Sequence, residues 1–384
     1  MTETTVSPFE ELSLESLRRR RSVKWRMYDP DVLPLWVAEM DTPLAPPIQS
    51  ALNDAVALGD TGYAIEGDLP AAFVGFAARR YGWTVDGEAP RLVADVMTGV
   101  RIALGACTDV GDRVVISTPV YPPFFEALHA LDRVIVSSPL AYDVEAGHSL
   151  DLDRLERDFA DGASAYLLCH PHNPTGIVFD RAGLAAIADL AERYGVTVIA
   201  DEIHAPLTDP AIRHVPFASL DHPVAAASFT CVAASKAWNL PGLKAALLVP
   251  GSLADTSAFP EELWAGAGLF GVIAAEAAFR EGEEWLDLIR AGIVERKRLL
   301  SELLADRLPD ARYREPAGTY LAWIDMRAYG MDDPATFLAE RGRVALYSGT
   351  KFGSEGAGFV RLNLATSKSI IIEAVDRMAA VLKS

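Results

Sequence analysis

Between Arg91 and Val249 the chain repeats one pattern: a short apolar run, a stretch of helical spacing, then another short apolar run. The runs fall at residues 91–97, 113–118, 134–138, 165–170, 196–200, 227–233 and 245–249. Segments such as 181–194 lie between them, with Leu184, Ile187, Ala188 and Ala191 at the spacing of one helix face. Strands alternating with helices predict an α/β domain: a mostly parallel seven-stranded sheet covered by helices on both faces.

Beyond Pro250 the pattern changes. Long helical segments are expected over 261–308, the first of them loosened by Gly266, Gly268 and Gly271. Short strands are expected at 320–325, 344–347 and 359–363. This predicts a large α/β domain over 45–255. Residues 1–44 and 256–384 would form a smaller α+β domain, and 384 residues are enough for two such cores.

Composition removes several classes of function. The net charge of −18 repels phosphate backbones, so nucleic acid is not an expected partner. The basic run Arg18–Arg21 is expected to be a solvated helix face, since no recognition motif accompanies it. The longest apolar run, 268–279, is too short to cross a membrane and contains Glu276. The N-terminus lacks the apolar stretch of a signal peptide. Cys107, Cys169 and Cys231 are far apart and form no CxxC, which argues against disulfides or a zinc site and fits a reducing cytoplasm. Trp264, Trp285 and Trp323 are expected to pack in a core or interface.

Chemistry concentrates where the predicted strands end. Lys236 follows the run 227–233, in the loop Ser-Lys-Ala-Trp-Asn-Leu-Pro-Gly. Ligands of open α/β sheets bind at the carboxyl ends of the strands. A lysine among apolar neighbours there loses proton affinity and becomes a nucleophile toward an aldehyde. Asp201 closes the run Val-Thr-Val-Ile-Ala-Asp and could hold a positive ring nitrogen. Asn173 sits in His-Pro-His-Asn-Pro-Thr-Gly, a stretch whose prolines and glycine favour a rigid turn. Gly99, in Thr-Gly-Val-Arg, is placed to open a helix whose N-terminus could take a phosphate. Gly99, Tyr121, Asn173, Asp201 and Lys236 all fall at or after predicted strand ends, so they could converge on one crevice. His170 and His172 suggest turn structure rather than a metal site, and a buried Cys169 would be inert.

These stretches, in this order, resemble the fold-type-I enzymes dependent on pyridoxal 5′-phosphate (PLP) of the aspartate aminotransferase superfamily. Within it the chain is most similar to the cystathionine β-lyase, or C–S lyase, branch. The likeness is carried by 33–41 (Leu-Pro-Leu-Trp-Val-Ala-Glu-Met-Asp), 119–124 (Pro-Val-Tyr-Pro-Pro-Phe) and 171–176. The stretches 201–204 (Asp-Glu-Ile-His), 235–240 and 358–363 (Gly-Phe-Val-Arg-Leu-Asn) complete it. The resemblance implies that Lys236 binds the cofactor covalently and moves the Cα proton. It further implies that Asp201 pairs with the pyridine nitrogen, Tyr121 stacks on the ring, Asn173 hydrogen-bonds its phenolic oxygen, and His204 belongs to the cofactor site. Gly99, Val100, Arg101, Ser235 and Lys244 would surround the phosphate, and Tyr63 would reach the phosphate of a second subunit in a homodimer. Ala38 and Arg361 would bind the substrate, Arg361 through its α-carboxylate.

Three positions depart from the wider pattern. His204 stands where many aminotransferases have Tyr, which favours the lyase branch; Ala233 replaces a frequent phosphate-binding hydroxyl; and Glu39 stands where the branch commonly has Asp. The implied reaction removes a thiol from the β-carbon of a cysteine thioether, cystathionine included, leaving pyruvate and ammonia. An aminotransferase is the alternative enzyme. A regulatory or binding protein on the same fold is the alternative of another class, though Lys236 and Asp201 are both present and no extra DNA-binding domain is evident.

Overall fold

The computed structural model describes residues 7–382 except 86, 88 and 89. Its centre is a seven-stranded sheet of β1 (Arg91–Val93), β2 (Arg113–Ile116), β3 (Val134–Ser137), β4 (Ala163–Cys169), β5 (Thr197–Asp201), β6 (Phe229–Val232) and β7 (Ala246–Pro250). The spatial order is β1-β7-β6-β5-β4-β2-β3. β7 runs antiparallel to both β1 and β6, and every other pair is parallel. Val198, Ile199 and Ala200 of β5 are wholly buried, as a parallel strand covered on both faces requires.

The helices around the sheet start where the sequence supplies a cap. Asp95 accepts the Thr98 N–H ahead of the helix Val96–Cys107, and Asp180 accepts the Gly183 N–H ahead of the helix Arg181–Tyr194. The first cap corrects an expectation. Residues 94–97 do not continue β1, because the Asp95 carboxylate takes a helical N–H and the chain turns into a helix at Val96.

The helical segments expected over 261–308 begin later than expected. Residues 261–268 form turns, with Gly266 at φ +88, and helix begins at Leu269. A second break falls at Gly282, between Leu269–Glu281 and Glu283–Arg307. There the indole of Trp238 donates to the Gly282 carbonyl at 2.9 Å, and a Cβ on Gly282 would lie 2.5 Å from that nitrogen.

The helix Leu269–Glu281 packs on the helices Pro46–Leu58 and Leu69–Tyr81 in the core of the large unit. Glu283–Arg307 spans both cores: Trp285, Leu286, Ile289 and Ile293 face the large unit, and Leu300, Leu303 and Leu304 face the small one. The change of packing partner along this helix falls near residues 293–300. The small unit holds a sheet of Arg312–Tyr313, Leu321–Asp325, Phe359–Asn363 and Tyr347–Ser348 in that order. Leu17, Trp25, Leu33 and Leu35 from the N-terminal segment join its core. The hairpin Ala141–Asp143 with Gly147–Ser149 was not anticipated.

Candidate active site

The strand register brings Cys169, Asp201 and Cys231 into one row at the carboxyl edge of β4, β5 and β6. Above that row lies a cavity of about 370 Å³. Tyr121, Asn173, Asp201, His204, Ser235, Lys236, Lys244, Ala38 and Arg361 all line it. Nine of the residues expected from the sequence thus meet at one place, drawn from both units of the chain.

The Lys236 amine donates to the Ala38 carbonyl at 3.1 Å. Burial, reinforced by the positive Arg361, lowers its pKa to about 8, while Asp201 and Glu39 pull the other way. At neutral pH a useful fraction of the amine is therefore free to attack. Asp201 is buried, and its Oδ1 accepts the Ile203 N–H at 3.1 Å. Burial raises its pKa to about 7 against the Ile203 N–H and the nearby Lys236, so the carboxylate's charge is only partly compensated. A protonated ring nitrogen beside it would complete the compensation and return it to the ionised form.

Arg361 lies on Phe359–Asn363, buried, with its guanidinium 4.8 Å from the Tyr347 ring centroid and 5.1 Å from that of Phe352. It donates to Asn173 Oδ1 at 3.1 Å and to the Trp36 carbonyl at 3.0 Å, and its Nε has no protein partner. Burial lowers its pKa to about 10, so it stays charged at neutral pH and suits a carboxylate. His204 is buried with Nδ1 unpartnered; burial and the positive Lys236 and Arg361 push its pKa well down, so the ring is neutral. Tyr121 is raised to about 12 by burial and remains a phenol. The Cys169 thiol accepts the Asn173 N–H at 3.3 Å and is pushed up by burial, the inert state expected of it.

The phosphate end differs from expectation. Gly99 and Val100 are buried inside the helix Val96–Cys107, and Arg101 is exposed; none of the three lines the cavity. A Cβ on Gly99 would lie 3.1 Å from Cys231 Sγ, so this glycine serves helix-to-sheet packing. The wall here is Ala94, Asp95, Val96 and Met97, at the N-terminus of that helix. Lys244 reaches the same end, paired with Asp95 at 2.9 Å. Tyr63 stands 95% exposed and outside the cavity of its own chain.

Among the lining residues not foreseen, two are aromatic. Trp36 stacks on Tyr347 at 6.2 Å between centroids, and both face the cavity beside Arg361. Trp36 lies inside the stretch 33–41 that carried the resemblance, so it was within reach. Tyr347 falls at the end of the expected strand 344–347, which the structure divides into Val344–Ala345 and Tyr347–Ser348, and nothing local marked it as a site residue.

The set fits PLP in its chemistry: an amine of lowered pKa, a buried carboxylate in need of a cation, a phenol ring, and a helix N-terminus with a lysine beside it. A seven-stranded, mostly parallel sheet with this site defines the class I and II aminotransferase family, and the chain belongs to it: the family model, described as "Aminotransferase class I and II", matches residues 68–378. Among curated relatives, a Mycobacterium tuberculosis protein named "Putative cystathionine beta-lyase" is 44% identical over 97% of this chain and 98% of its own. The cystathionine beta-lyase of Corynebacterium glutamicum is 37% identical over 96% of this chain and 99% of its own. Among solved structures, cystalysin from Treponema denticola, which contains a pyridoxal 5′-phosphate cofactor, superposes with a TM-score of 0.89 at 28% identity, covering 98% of this chain and 99% of that one.

Proposed function

We propose that the protein is a PLP-dependent C–S β-lyase. It takes a cysteine thioether such as cystathionine and, with one water, yields the free thiol, pyruvate and ammonia. The observation that carries this is the enclosure of the Lys236 amine, at a pKa of about 8, in one cavity with the buried Asp201 carboxylate and the Arg361 guanidinium. The lyase rather than the transaminase outcome is supported by the names of the full-length relatives and by His204 in place of tyrosine.

PLP, when bound, supplies an electron sink for the charge that develops at Cα. Arg361 would hold the substrate carboxylate through its planar fork, and its bond to the Trp36 carbonyl sets the plane of that fork. Asn173, touching Arg361, ties the carboxylate end to the cofactor end. Lys236 Nζ, once free, takes the Cα proton; the Ala38 carbonyl is the acceptor that holds the resulting ammonium. Asp201 would hold the cofactor's ring nitrogen and favour its protonated form by presenting a negative charge there. Trp36 and Tyr347 exclude water from the carboxylate side.

A homodimer with shared sites is part of the proposal. It is supported by the exposure of Tyr63 and Ile65, apolar side chains at 95% and 71%, on the surface beside the helix Leu269–Glu281. Three free cysteines support the cytoplasm as its place of work. No described helix is long and apolar enough to cross a membrane. The test is an assay of the purified holoenzyme with cystathionine and with S-alkyl cysteines. Thiol and pyruvate in equal amounts support the lyase; keto acid formed only with an added acceptor would assign a transaminase.

A further inference from the structure

Lys236 sits in a single helical turn. The Trp238 N–H donates to the Ala234 carbonyl at 3.0 Å and the Leu240 N–H to the Ser235 carbonyl at 2.8 Å, a 6→1 closure. That closure places Asn239 at φ +58, a left-handed position usually taken by glycine. Asparagine tolerates it less well than glycine, so its side chain is the thing to explain.

That side chain makes two hydrogen bonds to one residue. Asn239 Oδ1 accepts the Met40 N–H at 2.7 Å, and its Nδ2 donates to the Met40 carbonyl at 2.8 Å. Met40 is two residues from Ala38, whose carbonyl receives the Lys236 amine. The other ties on this segment come from elsewhere. Asn363 Nδ2 donates to the Val37 and Glu39 carbonyls, Lys24 to the Glu39 carbonyl, and Arg20 to the Met40 carbonyl. All three of these side chains lie outside the lysine loop. Besides the Lys236 amine itself, Asn239 supplies the side-chain bonds between that loop and the wall facing it.

We propose that Asn239 is a positioning residue for the reaction: its amide clamps Met40 so that the Ala38 carbonyl stays on the Lys236 amine. This rests on the lyase assignment above. Without the clamp, residues 36–40 remain fastened by Arg361, Asn363, Lys24 and Arg20, but their register against Lys236 is no longer fixed. Proton transfer at Cα demands that register, and a displacement of about 1 Å can cost up to about a hundredfold in rate.

Asn239→Gly tests the idea, because glycine keeps the left-handed turn and removes only the amide. The full chain should melt within a few degrees of wild type. Turnover of a cysteine thioether by the holoenzyme should fall about tenfold or more, with KM within about threefold. A second readout needs no turnover: the pH dependence of PLP capture by the cofactor-free chain, followed by absorbance. Loss of the Ala38 acceptor destabilises the ammonium, so the midpoint of capture should move to lower pH than in wild type. Asn239→Asp, which keeps the acceptor but turns a carboxylate toward the Met40 carbonyl, should lose at least as much turnover and covers the case in which the glycine variant does not fold. Unchanged turnover and an unchanged capture midpoint in a folded variant would overturn the proposal. Wild type that captures PLP but releases no thiol would instead count against the lyase assignment, and the midpoint shift would still decide the role of Asn239.

Discussion

Arg361 donates to Asn173 Oδ1 at 3.1 Å, so the expected carboxylate clamp and the expected cofactor contact touch across the junction of the two units. One residue comes from the strand Phe359–Asn363 of the small unit, the other from the turn after β4 of the large one. The site exists only when the two cores are docked, and its geometry depends on that contact.

Arg361→Lys should therefore be costly despite keeping the charge. Lysine cannot donate to the Trp36 carbonyl, Asn173 and a substrate carboxylate in one plane. We expect kcat/KM to fall about a hundredfold, chiefly through KM, with the cofactor still bound. Steady-state kinetics with a cysteine thioether checks it, and a KM within twofold of wild type would remove Arg361 from the substrate site.

Asp95→Asn should tighten cofactor binding. Asparagine caps the helix Val96–Cys107 as well as aspartate does, but it no longer neutralises Lys244 at 2.9 Å. The freed ammonium and the lost negative charge both favour a phosphate at that helix N-terminus. The pair is largely exposed, so the gain in PLP affinity should be about two- to fivefold. Weaker binding would mean that the phosphate lies elsewhere.

Gly176→Ala should destabilise the fold. Gly176 has φ +69, and a Cβ there would lie 2.2 Å from Pro316 Cβ. Left-handed strain and displacement of Pro316 together should cost about 2 kcal/mol or more. Because this glycine closes the turn that carries Asn173, cofactor retention should fall along with the melting temperature.

Stability should depend on pH through buried side chains. Burial holds His148 and His172 at about 4 and His170 and His214 at about 3, against an ordinary 6.5. As pH falls below 6.5 the unfolded chain takes up these protons first, so their contribution, full above 6.5, is lost toward pH 4. Asp201 and Glu202, raised to about 7, act oppositely: their contribution is full below the ordinary carboxylate range and is lost as pH rises through 7. His214 and Glu202 share a proton across a 2.8 Å hydrogen bond and offset each other, so His148, His170 and His172 outweigh Asp201 and the cofactor-free chain should melt progressively earlier from pH 6.5 down to 4.5. A flat profile would mean that these imidazoles are not held neutral.

Most of the sheet was legible because buried strands are continuous apolar runs, and β2 to β7 fall within one or two residues of expectation at most ends. Lys236, Asp201 and Asn173 were legible for a related reason: each is a polar residue directly after such a run. The errors share a cause as well. Apolar residues 96–97 read equally as strand or helix, and the Asp95 cap decided between them. Gly99, Val100 and Arg101, expected just past a strand end, lie instead within the helix Val96–Cys107. Tyr347 and the hairpin at 141–149 depend on tertiary contacts that no local pattern encodes.

The central claim is that Lys236 carries PLP and that the loaded enzyme expels a thiol. The most direct measurement is the visible absorption spectrum of wild type and Lys236→Ala after incubation with PLP, with thiol and pyruvate release from cystathionine assayed on both. The account predicts a protein-bound cofactor band in wild type that is absent from the variant, and release of thiol and pyruvate reduced about a thousandfold or more by the substitution. The same band and the same release in both proteins would contradict it.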